Sequence, residues 1–380
     1  MKTTDEVIHL LSELVSVPSM NGNEAGVSKL VYQYTQSLGM DVYYEEVEQD
    51  RSNVIAKKKI GKGGKTIVLN THMDVVPVVN GWASDPFHLT IRQNKAYGRG
   101  ACDAKGPLAC MLLAIRNVIN DPGNIHGEII MTAVVDEEDF SHGAKKMVQN
   151  GFNGDYGIVG EPTSCKIAPC HKGSMRPIIR VTGKTAHASL PEQGINAIEG
   201  AAVFTMEMKE YSKQLKKINH YLLGNPTMAI TKLVGGVKEN VIPDSCELIV
   251  DRRMVPGETE EEVVDSFKKI CALTERKMPG IKVDIKALKE TTGGPTEISP
   301  ECKYTQAALD IATDVTGNEK TFYGLTCGCD MVHLMKCGIP TIVVGPGSLN
   351  QAHQTDEFVD ITQLERCITI YENIIRWCLS

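Results

Sequence analysis

The sequence lacks the features that mark several large classes of protein. No run approaches the ~18 consecutive apolar residues of a membrane-spanning helix, so the sequence predicts no transmembrane segment. Long runs of Lys and Arg are also missing, and the net charge is −7, which argues against nucleic acid as a partner. No GxGxxG segment opens a helix after the first predicted strand, which argues against a dinucleotide-binding dehydrogenase.

Cysteine is plentiful, but it does not occur in the spacing of zinc ribbons or redox motifs. The chain has 12 cysteines and no CxxC pair. We therefore expect mostly reduced thiols in a cytoplasmic protein, with a disulfide-bonded secreted form as the alternative. The N-terminal segment MKTTDEVIHLLSELVS favours a cytoplasmic protein. Its apolar residues have helical spacing and are interrupted by acidic residues, whereas a signal peptide has an unbroken apolar core.

The order of predicted elements indicates two domains, as the length of 380 residues also does. Helical patterns first alternate with continuous apolar strands, which predicts an α/β domain whose mixed, mostly parallel sheet is flanked by helices. From residue 174 the order becomes βαββαβ, the pattern of a ferredoxin-like α+β module. We therefore predict one domain formed by residues 1–173 and 290–380, interrupted by an inserted domain of residues 174–289.

Histidine and acidic residues follow the ends of several predicted strands of the first domain. Each has a simpler explanation on its own, since the acid of GRGACD could cap a helix, the DEED segment could be a solvated turn and the histidine of QAHQTD could lie in a surface loop. Together they would meet at one edge of the sheet, where so many carboxylates repel one another unless divalent cations are bound. Imidazole and carboxylate groups are the ligands that zinc and similar ions prefer. The residues are His72 and Asp74, Asp103, Glu137 and Glu138, Glu161, and His353.

The motifs THMDVVP, GRGACDAKG, DEE, GEPT, GKTAHASLPEQGINAI, NVIPDSCELIVDRR and AHQTDEFV occur in one order along nearly the whole chain. With them the sequence resembles the M20 family of metallopeptidases and deacylases, in the branch of acetylornithine deacetylase and succinyl-diaminopimelate desuccinylase. The resemblance implies a zinc-exopeptidase-like catalytic domain and, in the inserted domain, a lid that also forms a homodimer.

The resemblance implies two zinc ions in each subunit, with Co²⁺ or Mn²⁺ as possible substitutes. It assigns Asp103 as the ligand that bridges both ions. His72 and Glu161 would complete one ion site, and Glu138 and His353 would complete the other.

The resemblance also implies that Glu137 is the general base and that Asp74 orients the His72 ligand. The residues themselves agree with this division. His72 and Asp74 share one face of a strand, because successive side chains alternate. Glu137 and Glu138 cannot point the same way in an extended segment, so one can bind metal while the other faces the substrate.

The inserted domain carries further candidates. His187 matches the family histidine that reaches into the partner's active site to stabilise the oxyanion, with a turn histidine between a strand and a helix as the alternative. Asn240 and Arg253 match polar and guanidinium groups of the family that suit the substrate carboxylate or the oxyanion, and arginine suits a carboxylate. Gly328 is a further candidate for substrate binding. Arg252 points to the other face and is expected to be structural. The segment CGCD at 327–330 departs from the Gly-Thr-Asp of many relatives, so substrate preference cannot be carried over.

These observations predict an enzyme that hydrolyses an amide bond in a small N-acyl amino acid or short peptide. The leading expectation is a deacylase similar to acetylornithine deacetylase or succinyl-diaminopimelate desuccinylase. A dipeptidase, tripeptidase or carboxypeptidase of the same family is one alternative, and a metal-binding assembly protein without catalysis is another.

Overall fold

The computed structural model describes residues 3–380, and these residues form two compact units. The first unit comprises residues 3–170, 297–325 and 329–380, and the second comprises residues 171–296 and 326–328. The predicted boundaries, at 173/174 and 289/290, lie within seven residues of these. The tripeptide 326–328 also belongs to the second unit, which the sequence did not suggest.

The helices follow from amphipathic spacing and from local capping. In the first helix the apolar residues recur at Val7, Leu10, Leu11 and Leu14, and all four are buried. A capping box formed by Thr259 and the side chain three residues later begins the sixth. The helices are α1 (Thr3–Ser16), α2 (Ala25–Ser37), α3 (Lys105–Asn120), α4 (His142–Gln149), α5 (Ala197–Leu215), α6 (Glu260–Lys277), α7 (Lys303–Thr316), α8 (Met331–Lys336) and α9 (Ile361–Cys378).

The strands range from two-residue bridges to ten-residue core strands. They are β1 (Asp41–Glu48), β2 (Arg51–Ile60), β3 (Lys65–His72), β4 (Thr90–Arg92), β5 (Lys95–Tyr97), β6 (Gly127–Val134), β7 (Tyr156–Val159), β8 (Cys170–His171), β9 (Gly173–Thr182), β10 (Ala186–His187), β11 (Thr227–Gly235), β12 (Val241–Ile242), β13 (Ser245–Met254), β14 (Lys282–Lys289), β15 (Thr296–Glu297), β16 (Gly324–Leu325), β17 (Thr341–Val343) and β18 (Phe358–Asp360).

The first unit is built on a six-stranded sheet in the order β1-β2-β6-β3-β7-β17. Strands β6, β3, β7 and β17 run parallel, while β1 and β2 are antiparallel to their neighbours. Helices α3 and α9 pack against β3, and α8 packs against β7 and β17. The prediction of a mixed, mostly parallel sheet flanked by helices is therefore confirmed.

The second unit contains a four-stranded antiparallel sheet in the order β11-β13-β9-β14. In chain order its elements are β9, α5, β11, β13, α6 and β14, which is the βαββαβ order. Its core lies between the sheet and the two helices and includes Phe204, Phe267, Ile179, Leu248 and Val250. Alternate residues of β13 are buried, as expected for a sheet covered on one face.

Two further predictions concern the membrane and the cysteines. Within residues 3–380 no helix is long and apolar enough to cross a membrane. All 12 cysteines lie in this range, and none is joined in a disulfide. Most of the thiols are buried in the cores of the two units.

Candidate active site

The candidate metal ligands of the first unit lie beyond the carboxyl ends of its parallel strands. His72 is the last residue of β3, Glu137 and Glu138 follow the end of β6, and Glu161 follows the end of β7. Residues Val134 and His72 are register partners on neighbouring parallel strands, so the segments that follow them leave the sheet side by side. This is the edge at which open α/β sheets place their ligand sites.

Asp103 lies between the two histidines. Its Oδ1 is 3.2 Å from His72 Nε2, and its Oδ2 is 3.5 Å from His353 Nε2. The alternative role as a helix cap is wrong, because α3 has Ala104 at its N-cap position and no side-chain cap. One carboxylate thus presents an oxygen to each imidazole, the arrangement that a bridging ligand needs.

Glu137 and Glu138 point in different directions, although for a different reason than the sequence suggested. The segment is a tight turn rather than an extended strand, and Asp136 before it has φ 70°. A carboxylate oxygen of Glu138 is 2.8 Å from His353 Nε2. Glu137 instead forms a group with His72 and the carboxylate of Glu161. Glu137 is only 8% exposed, so it does not lie in a solvated acidic turn.

The carboxylate of Asp74 has a different partner from the predicted one. The imidazole Nδ1 of His72 lies 2.9 Å from the backbone carbonyl of Asp74, whereas the nearest carboxylate oxygen is 3.7 Å away. That carboxylate accepts hydrogen bonds from the backbone N–H groups of Glu137, at 3.2 Å, and Glu138, at 3.0 Å. Strand β3 ends at His72, so Asp74 lies just beyond the strand, but its carboxylate still faces the His72 ring. Asp74 therefore holds the acidic turn, and its main chain orients the imidazole.

The electrostatics of the cluster are those of carboxylates crowded into a buried space. Burial raises the pKa of Glu137 and of Glu161 well above the usual range, and neighbouring carboxylates add to the effect. Burial, with Asp103 beside it, raises the pKa of Glu138 to about 7. For His72, burial opposes protonation, but Asp103, Glu161 and Asp74 together raise its pKa well above the usual value. The cluster therefore retains protons where cations would relieve the repulsion.

The donor set fits divalent cations. Two sets of three residues here each bring their ligand atoms within 4.8 Å of one another. One set is His72, Asp103 and Glu138, and the other is His72, Glu137 and Glu161. One oxygen of Glu138 and one of Glu161 are buried without a hydrogen-bond partner, which is costly unless something else binds them. His353, whose side chain is 52% exposed, lies on the open side of the cluster.

The second unit separates its four candidate residues into two places. His187 on β10 pairs with Val241, and the carbonyl of Asn240 accepts the N–H of Ala188, so His187 and Asn240 are close together. Arg253 lies near the far end of β13, where its guanidinium binds both oxygens of Asp251, at 2.7 and 3.3 Å.

Gly328 lies close to the end of the sheet that carries Arg253. A Cβ atom added at Gly328 would lie 3.5 Å from the carbonyl oxygen of Lys172. Lys172 directly precedes Gly173, the first residue of β9. Arg252 is fully buried and pairs with Glu258, in keeping with a structural role.

Sequence reasoning missed two buried acids beside the cluster. Asp330, in the CGCD segment, accepts a hydrogen bond from Asn70 at 3.1 Å, and burial raises its pKa to about 6. Glu357, in the AHQTDEFV motif, is fully buried and binds the turn that carries Asp103. In the sequence, only the motifs in which they lie pointed to these two acids, because both contact partners that are distant along the chain.

Comparison with known proteins places these features in context. The profile described as peptidase family M20/M25/M40 matches residues 68–377. Acetylornithine deacetylase of Vibrio parahaemolyticus is 32% identical over 370 residues, which cover 95% of this chain and 94% of that protein.

Solved structures share the fold over the full length. Aminopeptidase PepT of Bacillus cereus has a TM-score of 0.84 at 23% identity, covering 100% of this chain and 99% of that chain. The YXEP protein of Bacillus subtilis, described as a dinuclear metal binding peptidase from the M20 family, has a TM-score of 0.76 at 17% identity, covering 99% and 98% of the two chains.

Proposed function

The chain belongs to peptidase family M20/M25/M40, and on this premise we propose that it removes the acyl group from a small N-acyl amino acid. It is a hydrolase that acts on amide bonds, as the family and its deacetylase relatives are. The observation that carries the proposal is Asp103 placed between His72 and His353, beside a buried glutamate that can act as a base.

We propose that the cluster holds two divalent cations, Zn²⁺ or in its place Co²⁺ or Mn²⁺. Asp103 would contact both, with His72 and Glu161 on one side and Glu138 and His353 on the other. The unpartnered oxygens of Glu138 and Glu161 support this assignment. Such cations, when bound, lower the pKa of water and polarise a carbonyl oxygen.

Glu137 is the proposed general base. It is buried beside the proposed ligands, and burial and Glu161 raise its pKa, so its carboxylate is more basic than that of an exposed glutamate and can accept a proton from water and return it to the leaving amine. Asp74 supports this role, because its carboxylate fixes the main chain at both Glu137 and Glu138. The base therefore has a defined position before substrate binds.

Arg253 and Gly328 are proposed to bind the carboxylate end of the substrate, since the guanidinium forms a fork that matches a carboxylate. His187 and Asn240 are proposed to stabilise the oxyanion in the partner subunit of a homodimer. Support for the dimer comes from β11, which forms an edge of its sheet. Leu233 and Val234 on this strand are 49% and 56% exposed, and an exposed apolar edge favours pairing with another chain.

A substrate panel tests the proposal. Purified protein is freed of metal with a chelator, reloaded with Zn²⁺ or Co²⁺, and assayed for amine release from acetyl, succinyl and formyl amino acids and from dipeptides. We expect release from N-acyl amino acids only when metal is present. Activity restricted to peptides with a free amino terminus would make the protein a peptidase, and no release from any substrate would refute the proposal.

The free thiols further support a cytoplasmic setting for the enzyme.

A further inference from the structure

Glu357 is buried against the glycine-rich turn that precedes α3. Its Oε1 accepts the backbone N–H groups of Cys102, at 2.9 Å, and Asp103, at 3.0 Å. Its Oε2 accepts the N–H of Gly100, at 3.2 Å, and a guanidinium N–H of Arg99, at 2.6 Å. Glu357 and Arg99 are 0% and 1% exposed, so these contacts are shielded from water.

The arrangement is specific for an anion. Three backbone N–H groups of one short turn converge on the two carboxylate oxygens, and such a concave set of N–H groups binds negative charge. The buried carboxylate has its charge balanced by Arg99, and without such pairing its burial would be strongly unfavourable. A neutral side chain of the same shape cannot accept all four hydrogen bonds, because an amide nitrogen is a donor.

The same residue joins the turn to the loop of the second histidine. Glu357 lies four residues after His353 and immediately before β18, which pairs with β5 through Phe358 and Tyr97. Its carbonyl also accepts the N–H of Gly98, at 3.0 Å. The main chain and the side chain of Glu357 thus connect the segment that carries Asp103 with the segment that carries His353.

We propose that Glu357 is a positioning residue that sets the carboxylate of Asp103 relative to His353, and so sets the affinity of the dinuclear site. This rests on the proposed function, because it assumes that Asp103 and His353 bind cations. Glu357 is not one of the proposed ligands. It acts through the backbone N–H of Asp103, the residue whose two oxygens face His72 and His353.

The test compares Glu357→Gln with a matched control. The control is Glu6→Gln, which also replaces a carboxylate by its amide and removes an ion pair with an arginine. That pair, Glu6 with Arg116 at 2.8 Å, lies away from the cluster. For each protein, Co²⁺ binding is measured by equilibrium dialysis, the visible absorption of the bound Co²⁺ is recorded, and kcat and KM are determined. Thermal unfolding of each variant shows whether the fold is retained.

We expect Glu357→Gln to bind at least one Co²⁺ about 10- to 100-fold more weakly than the wild type, with an altered absorption spectrum and a lower kcat even at saturating Co²⁺. Glu6→Gln should match the wild type in all three. If Glu357→Gln does not fold, Glu357→Asp, which keeps the charge but is one methylene shorter, should show the same weakening.

Two outcomes separate the inference from the proposed function. If the folded variant binds Co²⁺ with the affinity, spectrum and kcat of the control, the role assigned to Glu357 is wrong while the dinuclear site stands. If the wild-type protein itself binds no Co²⁺, the proposed function fails together with the inference.

Discussion

Mixing two inactive variants tests whether each active site is completed by a second subunit. The second unit separates His187 from Arg253 along the paired strands β9 and β13. Arg253 pairs with Ser174, whereas Thr182, eight residues further along β9, lies at the end from which the chain continues to His187. Eight strand residues span about 26 Å, which is longer than an N-acyl amino acid. A substrate bound at Arg253 is therefore too short to span this stretch of the sheet, which favours a His187 that serves the active site of another chain.

The perturbation uses two variants that fail for different reasons. Glu137→Gln removes the proposed base and should lower kcat about 10²- to 10⁴-fold. His187→Ala removes a donor to the oxyanion and should lower it about 10²- to 10³-fold. In a mixed dimer one site contains intact Glu137 from one chain and intact His187 from the other. Random exchange of subunits makes half of the dimers mixed, so activity should return to about a quarter of the wild-type value.

The assay uses chains with two different affinity tags, co-expressed and purified so that only mixed dimers remain, which should then reach about half of wild-type activity. A mixed dimer of Glu137→Gln and Arg253→Ala is the matched control, because both groups are proposed to act in the same chain, so that no complete site should form. A purified mixed dimer of Glu137→Gln and His187→Ala that is no more active than its parents would refute the shared site.

Three further predictions concern the cluster itself. Glu137→Gln should retain the metal content of the wild type while losing turnover, as measured by elemental analysis and steady-state kinetics; loss of metal would mean that Glu137 is a ligand. Asp74→Asn should lower kcat about 10- to 100-fold and also weaken the binding of the cation held by Glu138, because the charged acceptor that fixes the main chain of Glu137 and Glu138 is lost; an unchanged kcat would contradict the role assigned to Asp74. In the metal-free protein the carboxyl group of Glu138 should destabilise the fold as the pH rises from 4.5 to about 7, the interval over which burial raises its pKa. In this window Glu138 holds more of its proton in the folded chain than in the unfolded chain, so its contribution to the free energy of unfolding falls by about 1.4 kcal/mol per pH unit. Thermal unfolding of the wild type and of Glu138→Gln against pH isolates this contribution from groups of opposite sign such as His171, whose pKa burial lowers to about 4. A wild-type stability that does not fall relative to Glu138→Gln across the window would contradict the prediction.

Local pattern was sufficient for much of the fold. The helical spacing in α1 and the continuous apolar strands β3 and β6 are visible in the sequence because burial imposes the period of the element on nearby residues. The placement of His72 and Glu161 also follows, because parallel strands end at the same edge of a sheet. The shape of the segment at 137–138 did not follow, since the left-handed conformation of Asp136 leaves no pattern of its own.

The sequence by itself determined the alternation of elements, the division into an α/β part and a βαββαβ part, and the set of acids and histidines at the strand ends. Only the tertiary structure decided which backbone groups the buried carboxylates hold. Asp74 binds a turn 63 and 64 residues away, and Glu357 binds the N–H of Asp103 across 254 residues. These partners become neighbours only when the chain closes, and a buried carboxylate takes whichever N–H donors are then in reach, so no local period records the choice.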